Sequence, residues 1–426
     1  MLNKIYTSIL ASLIAVAYAN NIKAQELEDT IPSAIAKIQS DLELLKRIKI
    51  SGYIQPQFQW ADSVGIASYA GGNFGSSTDK RFMLRRGRIK IAYETLYTQF
   101  VFQIDATEKG IAIKDLYGKF TEPWLGAFSI TAGIMNRPFG YEIGYSSSLR
   151  ESPERGRMSQ IIFPGERDLG AMLTFQMPKT SRFNFLKIDA GLYNGTGSTA
   201  VDFDKQKDFI SHIAINKSTV SEKISYGLGL SYYNGGWRQG RKNVYTMGLD
   251  TLNQTTFQLN SDTVNYGQIA KRQYYGADAQ LNFDFPFGVT TLRAEYIQGQ
   301  QPSSSSSTTS ASTQPSGDTY LRNFNGAYFY FLQNIFRTKH QIIVKYDWYD
   351  PNTKVKGDEI GVSGTKLSAG DIKYTTLGLG WVYHWDSNVK ITAYYDMVSN
   401  ETSKNLSGYV TDIKDNVFTL RVQYKF

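Results

Sequence analysis

The chain contains no cysteine, and only 11 of its 426 residues are proline and 3 are histidine. Without cysteine it can form no disulfide, no thiolate metal site and no catalytic thiol. The histidines, His212, His340 and His384, are far apart and in no H-x-x-x-H pattern, which argues against a zinc enzyme. Beyond the N-terminus, no apolar run reaches the roughly 20 residues that a membrane-spanning helix needs. The sequence therefore excludes a helical membrane protein, a disulfide-stabilised domain and a Cys/His metalloprotein, and we expect neither a cofactor nor a metal.

The N-terminus has the pattern of an export signal. Lys4 precedes an apolar stretch, residues 5–19, whose length of about 15 residues suits a signal peptide better than a membrane span. Small residues suitable for cleavage follow, and we favour cleavage after Ala24. Residues 1–24 are therefore predicted to be a signal peptide, with an uncleaved anchor helix as the alternative.

Residues 25–46 are predicted to form a short periplasmic amphipathic helix with a coiled-coil pattern. Ile35, Ile38, Leu42 and Leu45 recur at spacings of 3 and 4 residues, which places them on one face. Two heptads are too few for a stable isolated helix, so this face needs a partner. The alternatives are self-association of copies into a small bundle and packing of the single helix against the rest of the chain.

From residue 47 to 426 the apolar residues recur with a period of two. In the first such segment Ile50, Ile54 and Trp60 alternate with polar residues such as Gln55 and Gln57, so one face is apolar and the other polar. Sixteen strands are predicted on this basis, most of them about 9 to 15 residues long, as in tilted membrane-spanning strands. They cover residues 47–60, 80–94, 96–107, 111–121, 127–135, 168–178, 184–194, 207–217, 223–233, 271–285, 289–300, 319–332, 338–350, 371–386, 388–399 and 415–426.

The connections between these strands alternate in length. Those after even-numbered strands are short, and most of those after odd-numbered strands are long, including residues 136–167, 234–270 and 301–318. Short turns on one rim and long loops on the other are typical of outer-membrane barrels, whereas a secreted β-sandwich has no reason to separate them. The predicted fold class is all-β: a 16-stranded antiparallel transmembrane β-barrel over residues 47–426, preceded by the short periplasmic helix.

Two further patterns concern the outer surface of this barrel. Aromatic residues cluster near strand ends, and as a group they are typical of interfacial girdles, whereas each one alone is better explained by ordinary β-packing. They are Trp60, Trp124, Tyr193, Tyr232, Tyr349, Trp385 and Tyr424. Residues 301–317 are of low complexity with almost no hydrophobic residue, which predicts a mobile surface loop with no site in it.

Several segments resemble the phosphate-selective porin O and P family. RFMLRRGRIKI (81–91) is similar to its basic second strand, and GIMNRPFGYE (133–142) with ESPERGRMSQIIFPGERDLG (151–170) to its most specific block. LYNGTG (192–197) and WYDPN (348–352) also resemble family features. The resemblance implies a trimeric sixteen-stranded porin whose third external loop folds into the lumen and whose pore is lined with arginine. Glu166 departs from the family pattern, because it adds an acid beside Arg167.

Basic residues on the second strand are predicted to line the pore. Arg86, Arg88 and Lys90 are alternate residues on the polar face of the strand, the face of lumen parity, and lie about 7 Å apart along it. Such a ladder selects anions, since guanidinium forks match phosphate or carboxylate oxygens. The alternative is that Asp105 and Asp115 on the next two strands neutralise the ladder.

The segment 136–167 is predicted to be an in-folded constriction loop. It is dense in glycine, proline and charge, and Arg137, Arg155 and Arg167 are its predicted anion contacts. The alternative is that glutamates of the same loop pair with these arginines and only hold the loop in place. Further residues of lumen parity that would add to the basic field are Lys119, Lys345 and Arg421.

The C-terminus ends in Tyr424-Lys425-Phe426. A final strand ending in an aromatic resembles the signal that the barrel-assembly machinery reads, so Phe426 is predicted to be an assembly signal. The alternative is that Phe426 is only the last lipid-facing residue.

These patterns favour a passive, water-filled channel in the outer membrane of a Gram-negative-type bacterium, for small hydrophilic solutes and with a preference for anions such as phosphate. The alternatives are a general diffusion or organic-solute (sugar or peptide) porin, and a surface adhesin or receptor acting through the 234–270 and 301–318 loops. No G-x-S-x-G motif is present, so we do not expect an enzyme such as a lipase. Residues 25–46 are too few for a receptor plug. The expected partners are solutes, outer-membrane lipid, the assembly machinery and further copies in a homotrimer, with no nucleic acid.

Overall fold

The computed structural model describes residues 31–198 and 200–426, with side chains from residue 37 onward. The predicted signal peptide, residues 1–24, lies outside the described residues. The first described element is helix α1, Ile31–Lys46. Among the described helices, none is long and apolar enough to cross a membrane.

One antiparallel sheet, closed on itself, forms the body of the protein. The strands in chain order are β1 Ile48–Ala61, β2 Lys80–Glu94, β3 Thr98–Thr107, β4 Gly110–Thr121, β5 Phe128–Asn136, β6 Arg167–Gln176, β7 Leu186–Tyr193, β8 Asp208–Ser218, β9 Ile224–Arg238, β10 Asn243–Leu249, β11 Thr255–Ser261, β12 Ile269–Phe285, β13 Gly288–Ser303, β14 Thr319–Asn334, β15 His340–Asp350, β16 Tyr374–His384, β17 Val389–Asn400 and β18 Val417–Lys425. Strands β10 and β11 form a hairpin, and the other sixteen form the barrel. Pairing of β1 with both β2 and β18 closes it.

The sixteen predicted strands are confirmed, with shifted ends at several of them. The largest shift is in β9, which was predicted to end at residue 233 but stays paired with β12 as far as Arg238. The hairpin β10–β11 lies inside the predicted loop 234–270 and was not predicted. A contact between residues distant in sequence holds the hairpin against β14: Tyr245 of β10 stacks on Tyr320 with ring centroids 4.4 Å apart.

The two rims of the barrel differ as the sequence predicts. The short-turn rim carries the connections after β2, β4, β6, β8, β12, β14 and β16, and the long-loop rim carries the others. The long loops are loop 1 (62–79), loop 3 (137–166), loop 5 (239–268), loop 6 (304–318), loop 7 (351–373) and loop 8 (401–416). Loop 3 contains the short helix α2, Arg157–Ile162.

The outward and inward faces of the barrel alternate in polarity. On β1 the side chains of Ile50 and Ile54 are exposed on the outside, whereas Gln55, Gln57 and Gln59 are buried inside. An apolar exterior and a polar interior are what a barrel surrounded by lipid requires, because no water is available to its outer face.

The predicted girdle is partly wrong. Trp60, Trp124 and Trp385 are exposed on the outside, as a girdle requires. Tyr193 and Tyr349 are buried instead in a hydrophobic cluster that includes loop 3 residues. Strand-end position alone does not distinguish the two cases, but strand parity does. Tyr349 has the parity of Lys345 and Tyr193 that of Asp189, so both face the lumen.

The C-terminus closes the seam between the first and last strands. The backbone N–H of Phe426 donates to the carbonyl of Gly52 at 3.0 Å, and the N–H of Gly52 donates back at 3.1 Å. The ring of Phe426 covers Gly52, where a Cβ would lie only 2.6 Å from it. A glycine at position 52 therefore makes room for the terminal aromatic ring.

Helix α1 leaves its apolar stripe uncovered. The side chains of Ile38, Leu42 and Leu45 are exposed, at 65, 49 and 64%. The predicted need of this stripe for a partner is therefore not met by the barrel strands of the same chain.

Candidate functional site: the barrel lumen and loop 3

Loop 3 folds into the lumen and packs against the inner wall. Phe139 and Phe163 lie 5.0 Å apart by ring centroids, and Tyr274 meets Phe163 edge-on at 5.9 Å. Inward-facing residues of β7 to β15 complete the cluster: Tyr193, Ile210, Tyr233, Tyr274, Ile297, Phe324 and Tyr349. Burial of this many aromatic and aliphatic side chains fixes the loop across the barrel.

The start of loop 3 is also held by a buried carboxylate. Glu295 on β13 accepts hydrogen bonds from the backbone N–H groups of Tyr141 at 3.1 Å and Glu142 at 3.0 Å, and from the hydroxyl of Tyr328 at 2.9 Å. Gly140 has φ +61°, and a Cβ there would collide with the Glu295 carboxylate. The Pro-Phe-Gly turn of the sequence therefore meets a steric and a conformational requirement for glycine.

Three arginines converge on Glu154 in the middle of the loop. Arg85, Arg86 and Arg421 each place a guanidinium nitrogen 2.8 Å from its carboxylate. Burial acts to raise the pKa of Glu154, but these arginines outweigh it and hold the pKa well below its usual range. Glu154 therefore stays ionised and ties loop 3 to β2 and β18.

The inward position of Arg85 was not predicted from the sequence. A bulge lies between β1 and β2, where Ile54 pairs with Gly87 but Pro56 pairs with Leu84. The extra residue in β2 breaks the alternation, so the consecutive residues Arg85 and Arg86 both reach the lumen side. Two adjacent arginines in one strand were the only signal of this arrangement in the sequence.

Glu166, the residue that departs from the family pattern, lies between two of the predicted anion contacts. It forms ion pairs with Arg155 and with Arg167, the latter at 2.8 Å. Arg167 also pairs with Asp115 on β4 at 2.6 Å. Burial acts to raise the pKa of Glu166, but Arg155 and Arg167 lower it well below its usual range. The acid thus offsets charge at the end of loop 3.

Three further predicted contacts have partners within the protein. Arg88 pairs with Asp105 at 3.0 Å, in agreement with the neutralising parity of that aspartate. Lys345 pairs with Asp347 at 3.0 Å. Arg137 donates to the carbonyl of Pro164 at 3.1 Å and so joins the two ends of loop 3.

A cavity of about 530 Å³ lies between loop 3 and the inner wall of β1 to β7, in the short-turn half of the barrel. Its lining contains one acidic residue, Asp115, and seven basic residues: Arg88, Lys90, Lys119, Arg155, Arg167, Lys187 and Lys425. Within the part of the chain that the structure describes, the amino groups of Lys90 and Lys119 have neither an ion pair nor a hydrogen bond. We call this cavity the basic vestibule.

The adjoining part of the lumen wall carries charges of both signs, with Arg137 and Lys187 beside two aspartates. An adjoining cavity of about 390 Å³, which shares Tyr145 and Lys187 with the basic vestibule, has Asp189, His212 and Asp278 in its lining. His212 Nε2 lies 3.0 Å from the Asp278 carboxylate. Among the described residues, no group of His, Asp and Glu side chains is arranged to hold a metal ion.

Comparison with known proteins finds similarity at the level of structure. No family model and no curated protein matches the chain. Among solved structures it is similar to the outer membrane channel DcaP of Acinetobacter baumannii, with 11% identity, a TM-score of 0.51 and coverage of 89% of this chain and 97% of that one. The fold is that of outer-membrane porin barrels.

Two other solved barrels show the same similarity. OmpF of Salmonella typhi in complex with daunomycin has 12% identity, a TM-score of 0.52 and coverage of 89 and 97% of the two chains. A loop L8 deletion mutant of OmpT, an outer membrane protein of Vibrio cholerae, has 9% identity, a TM-score of 0.51 and coverage of 89 and 99%. At these identities the shared property is the fold, and membership of the phosphate-selective porin O and P family stays a prediction.

Proposed function

We propose that this chain forms a passive, water-filled channel for small hydrophilic solutes in an outer membrane. The closed barrel with an apolar exterior supports this, as do its charged lumen and the position of loop 3 inside the barrel. The similar barrels include an outer membrane channel, and the sequence has no G-x-S-x-G motif.

We further propose that the channel prefers anions such as phosphate. The observation that carries this is the basic vestibule, in which seven basic residues face the cavity with one acidic residue. Lys90 and Lys119 are the proposed direct contacts, because their amino groups remain available to replace an anion's hydration. Arg88, Arg155 and Arg167 are proposed to add to the field from their ion-paired positions.

The remaining predicted contacts take a positioning role in this proposal. Arg86 is paired with Glu154 of loop 3, Arg137 donates to the carbonyl of Pro164 within that loop, and Lys345 is paired with Asp347. These ion pairs also favour the second candidate function, a general diffusion porin without phosphate selectivity, since each carboxylate offsets one of the cations.

We propose in addition that the protein is exported by residues 1–24 and assembles as a homotrimer. The exposed apolar stripe of α1 supports self-association, because burial of Ile38, Leu42 and Leu45 between copies would remove them from water.

Flux through proteoliposomes tests the proposed selectivity. We would measure initial efflux of labelled phosphate and of labelled arabinose, a neutral sugar, for the wild type and for Lys90→Gln/Lys119→Gln. Phosphate efflux should fall on the order of fivefold, since a close charge contributes about 1 kcal/mol in water, while arabinose efflux should not change. Lys354→Gln/Lys414→Gln, in loops 7 and 8, is the charge-matched control. Equal phosphate efflux in both double variants would favour the general diffusion porin.

A further inference from the structure

The outer face of β9 and β12 changes from apolar to basic side chains towards the long-loop rim. The apolar band ends at Tyr232 and Tyr275, which are opposite in register with ring centroids 5.4 Å apart. The next outward residue of β12, Gln273, donates to the hydroxyl of Tyr232 at 3.0 Å. Beyond it, Lys271 and Arg238 occupy the same outer face. Aromatic residues followed by cations mark the boundary between the apolar core and the headgroups of a membrane.

The heights of these cations fit that boundary. With a rise of about 3.4 Å per residue and a strand tilt of about 40°, Lys271 lies about 10 Å beyond the tyrosine pair. Arg238 pairs with Ile269, two residues further along β12, and lies about 15 Å beyond the tyrosine pair. Both side chains are long enough to reach groups at headgroup depth.

A groove adjoins these residues on the long-loop rim. It has a volume of about 770 Å³ and lies between loop 5, which contributes Arg241, Lys242 and Tyr266, and residues 314–316 of loop 6. Arg241 Nε donates to the carbonyl of Ser316 at 2.8 Å, which fixes the guanidinium at the edge of the groove. The guanidinium of Arg238 lies over the ring of Tyr266, 5.4 Å from its centroid. The groove and the outer-face cations therefore form one continuous surface.

The cations of this surface differ from the ion-paired arginines of the lumen, such as Arg86 and Arg88. Over residues 31–198 and 200–426, no carboxylate forms an ion pair with Arg238, Arg241, Lys242 or Lys271. The exposed apolar side chains Val264 and Tyr266 lie in the same loop segment, at 66 and 58% exposure. Unpaired cations beside exposed apolar groups suit a ligand with an anionic head and an apolar body.

We propose that this groove binds the phosphorylated headgroup of a lipid in the membrane leaflet at the long-loop rim. Arg241 and Lys242 contact phosphate oxygens in the groove, and Arg238 and Lys271 contact the headgroup from the adjoining outer face. Guanidinium and ammonium groups donate strong hydrogen bonds to phosphate, and Tyr266 provides a flat surface beside them. The site lies outside the lumen and is independent of the solute that the channel conducts.

Native mass spectrometry of the detergent-solubilised full chain tests this proposal, with lipid A as the bis-phosphorylated probe. We expect the wild type to retain lipid A, and Arg241→Ala/Lys242→Ala to bind it about tenfold more weakly, as loss of about 1.4 kcal/mol implies. The control, Lys354→Ala/Lys414→Ala, removes two cations from loops 7 and 8 and should bind as the wild type does. Lys242→Glu should also weaken the binding of lipid A. Its side chain makes no hydrogen bond within the described residues, so this change should not disturb the fold.

Two outcomes would overturn the proposal. Equal retention of lipid A by the wild type and by both groove variants would show that the groove is not the binding site. Displacement of lipid A by millimolar inorganic phosphate would show a site for the free ion rather than for a lipid headgroup. The proposal would be supported if lipid A bound more weakly to the groove variants but not to the control, and if inorganic phosphate did not displace it from the wild type.

Discussion

Glu154 holds loop 3 by converging contacts, because its single carboxylate pairs with three guanidinium groups from two strands. The sequence predicted the inward orientation of Arg86 and Arg88 from strand parity. It also offered Asp105 as a partner of the ladder, and Arg88 pairs with it. It could not identify Glu154 as the partner of Arg86, since Glu154 is 68 residues from Arg86 and 267 from Arg421. Parity is a local property of a strand, whereas an ion pair depends on how a distant loop folds.

Replacement of Glu154 by glutamine should destabilise the protein. Arg85, Arg86 and Arg421 would then be left close together without a carboxylate, which costs roughly 3–5 kcal/mol for a buried charge. We expect a lower urea midpoint for unfolding in detergent, measured by the loss of β-sheet circular dichroism. Glu359→Gln on exposed loop 7 is the control, and an equal midpoint in both variants would contradict the proposed anchoring.

The depressed pKa values of Glu154 and Glu166 set the expected pH dependence. Burial raises each pKa, but the neighbouring arginines lower it well below the ordinary value of 4.5. Their contribution to stability is therefore complete above about pH 4.5 and is lost as the pH falls through the lowered values. When the pH is lowered below 4.5, the urea midpoint of the wild type should decrease. The decrease should be smaller in Glu154→Gln. An equally steep fall in the variant would contradict this assignment.

Loop 3 shows what an element-scale pattern can and cannot predict. Its position between β5 and β6 and its inward course were expected from the resemblance, and the structure places it inside the barrel. The inward aromatics that hold it, such as Tyr233 and Tyr274, were not identified. They interrupt the polar parity only near the long-loop rim, where strand-end aromatics are also expected on the outside.

Truncation of Phe139 should loosen loop 3. Phe139 is buried against Phe163 and Tyr274, so Phe139→Ala should cost about 3–5 kcal/mol in the free energy of unfolding. We expect the single-channel conductance in a planar bilayer to become larger or noisier as the loop moves. Phe128→Ala, which removes an exposed phenylalanine from the lipid face, should leave the conductance unchanged. The same conductance in both variants would show that the cluster does not set the constriction.

The seam at Gly52 separates two roles of Phe426. Phe426→Ala keeps the terminal residue and its backbone bonds but removes the ring, and Gly52→Val keeps Phe426 but presses on its ring and on the carbonyl of Arg88. Deletion of Phe426 removes both the ring and the terminal backbone bonds. If Phe426 acts as an assembly signal, its deletion should reduce the yield of folded barrel far more than Gly52→Val does. Heat-modifiable mobility on gels measures this yield, and equal losses would indicate that ring packing alone matters.

At the scale of the whole molecule, the barrel was predictable because its exterior must be apolar and its interior polar. Apolar and polar residues therefore alternate with a period of two along the barrel strands. The hairpin β10–β11 was not, because its contacts with Tyr320 and with loop 7 lie outside that repeating pattern. The proposed oligomeric state depends on surfaces such as α1, whose apolar stripe the barrel of the same chain leaves exposed.

Disruption of the α1 stripe should weaken the proposed trimer. Leu42→Ser/Leu45→Ser removes apolar surface that is already exposed in the single chain, so the barrel should fold normally. Light scattering coupled to size-exclusion chromatography should show a smaller mass than for the wild type. Lys37→Ser/Asp41→Ser, polar changes in the same helix, is the control, and an unchanged mass in both would exclude α1 as the contact.

The zero-current potential of the purified protein in a planar bilayer under a tenfold KCl gradient is the decisive test of the proposed anion preference. Because the vestibule is basic, we expect the zero-current potential of the wild type to have the sign of a chloride-selective channel. In Lys90→Gln/Lys119→Gln this potential should be closer to zero. A potential near zero or on the potassium side would mean that the ion pairs of the lumen neutralise its cations, and would contradict the proposed preference.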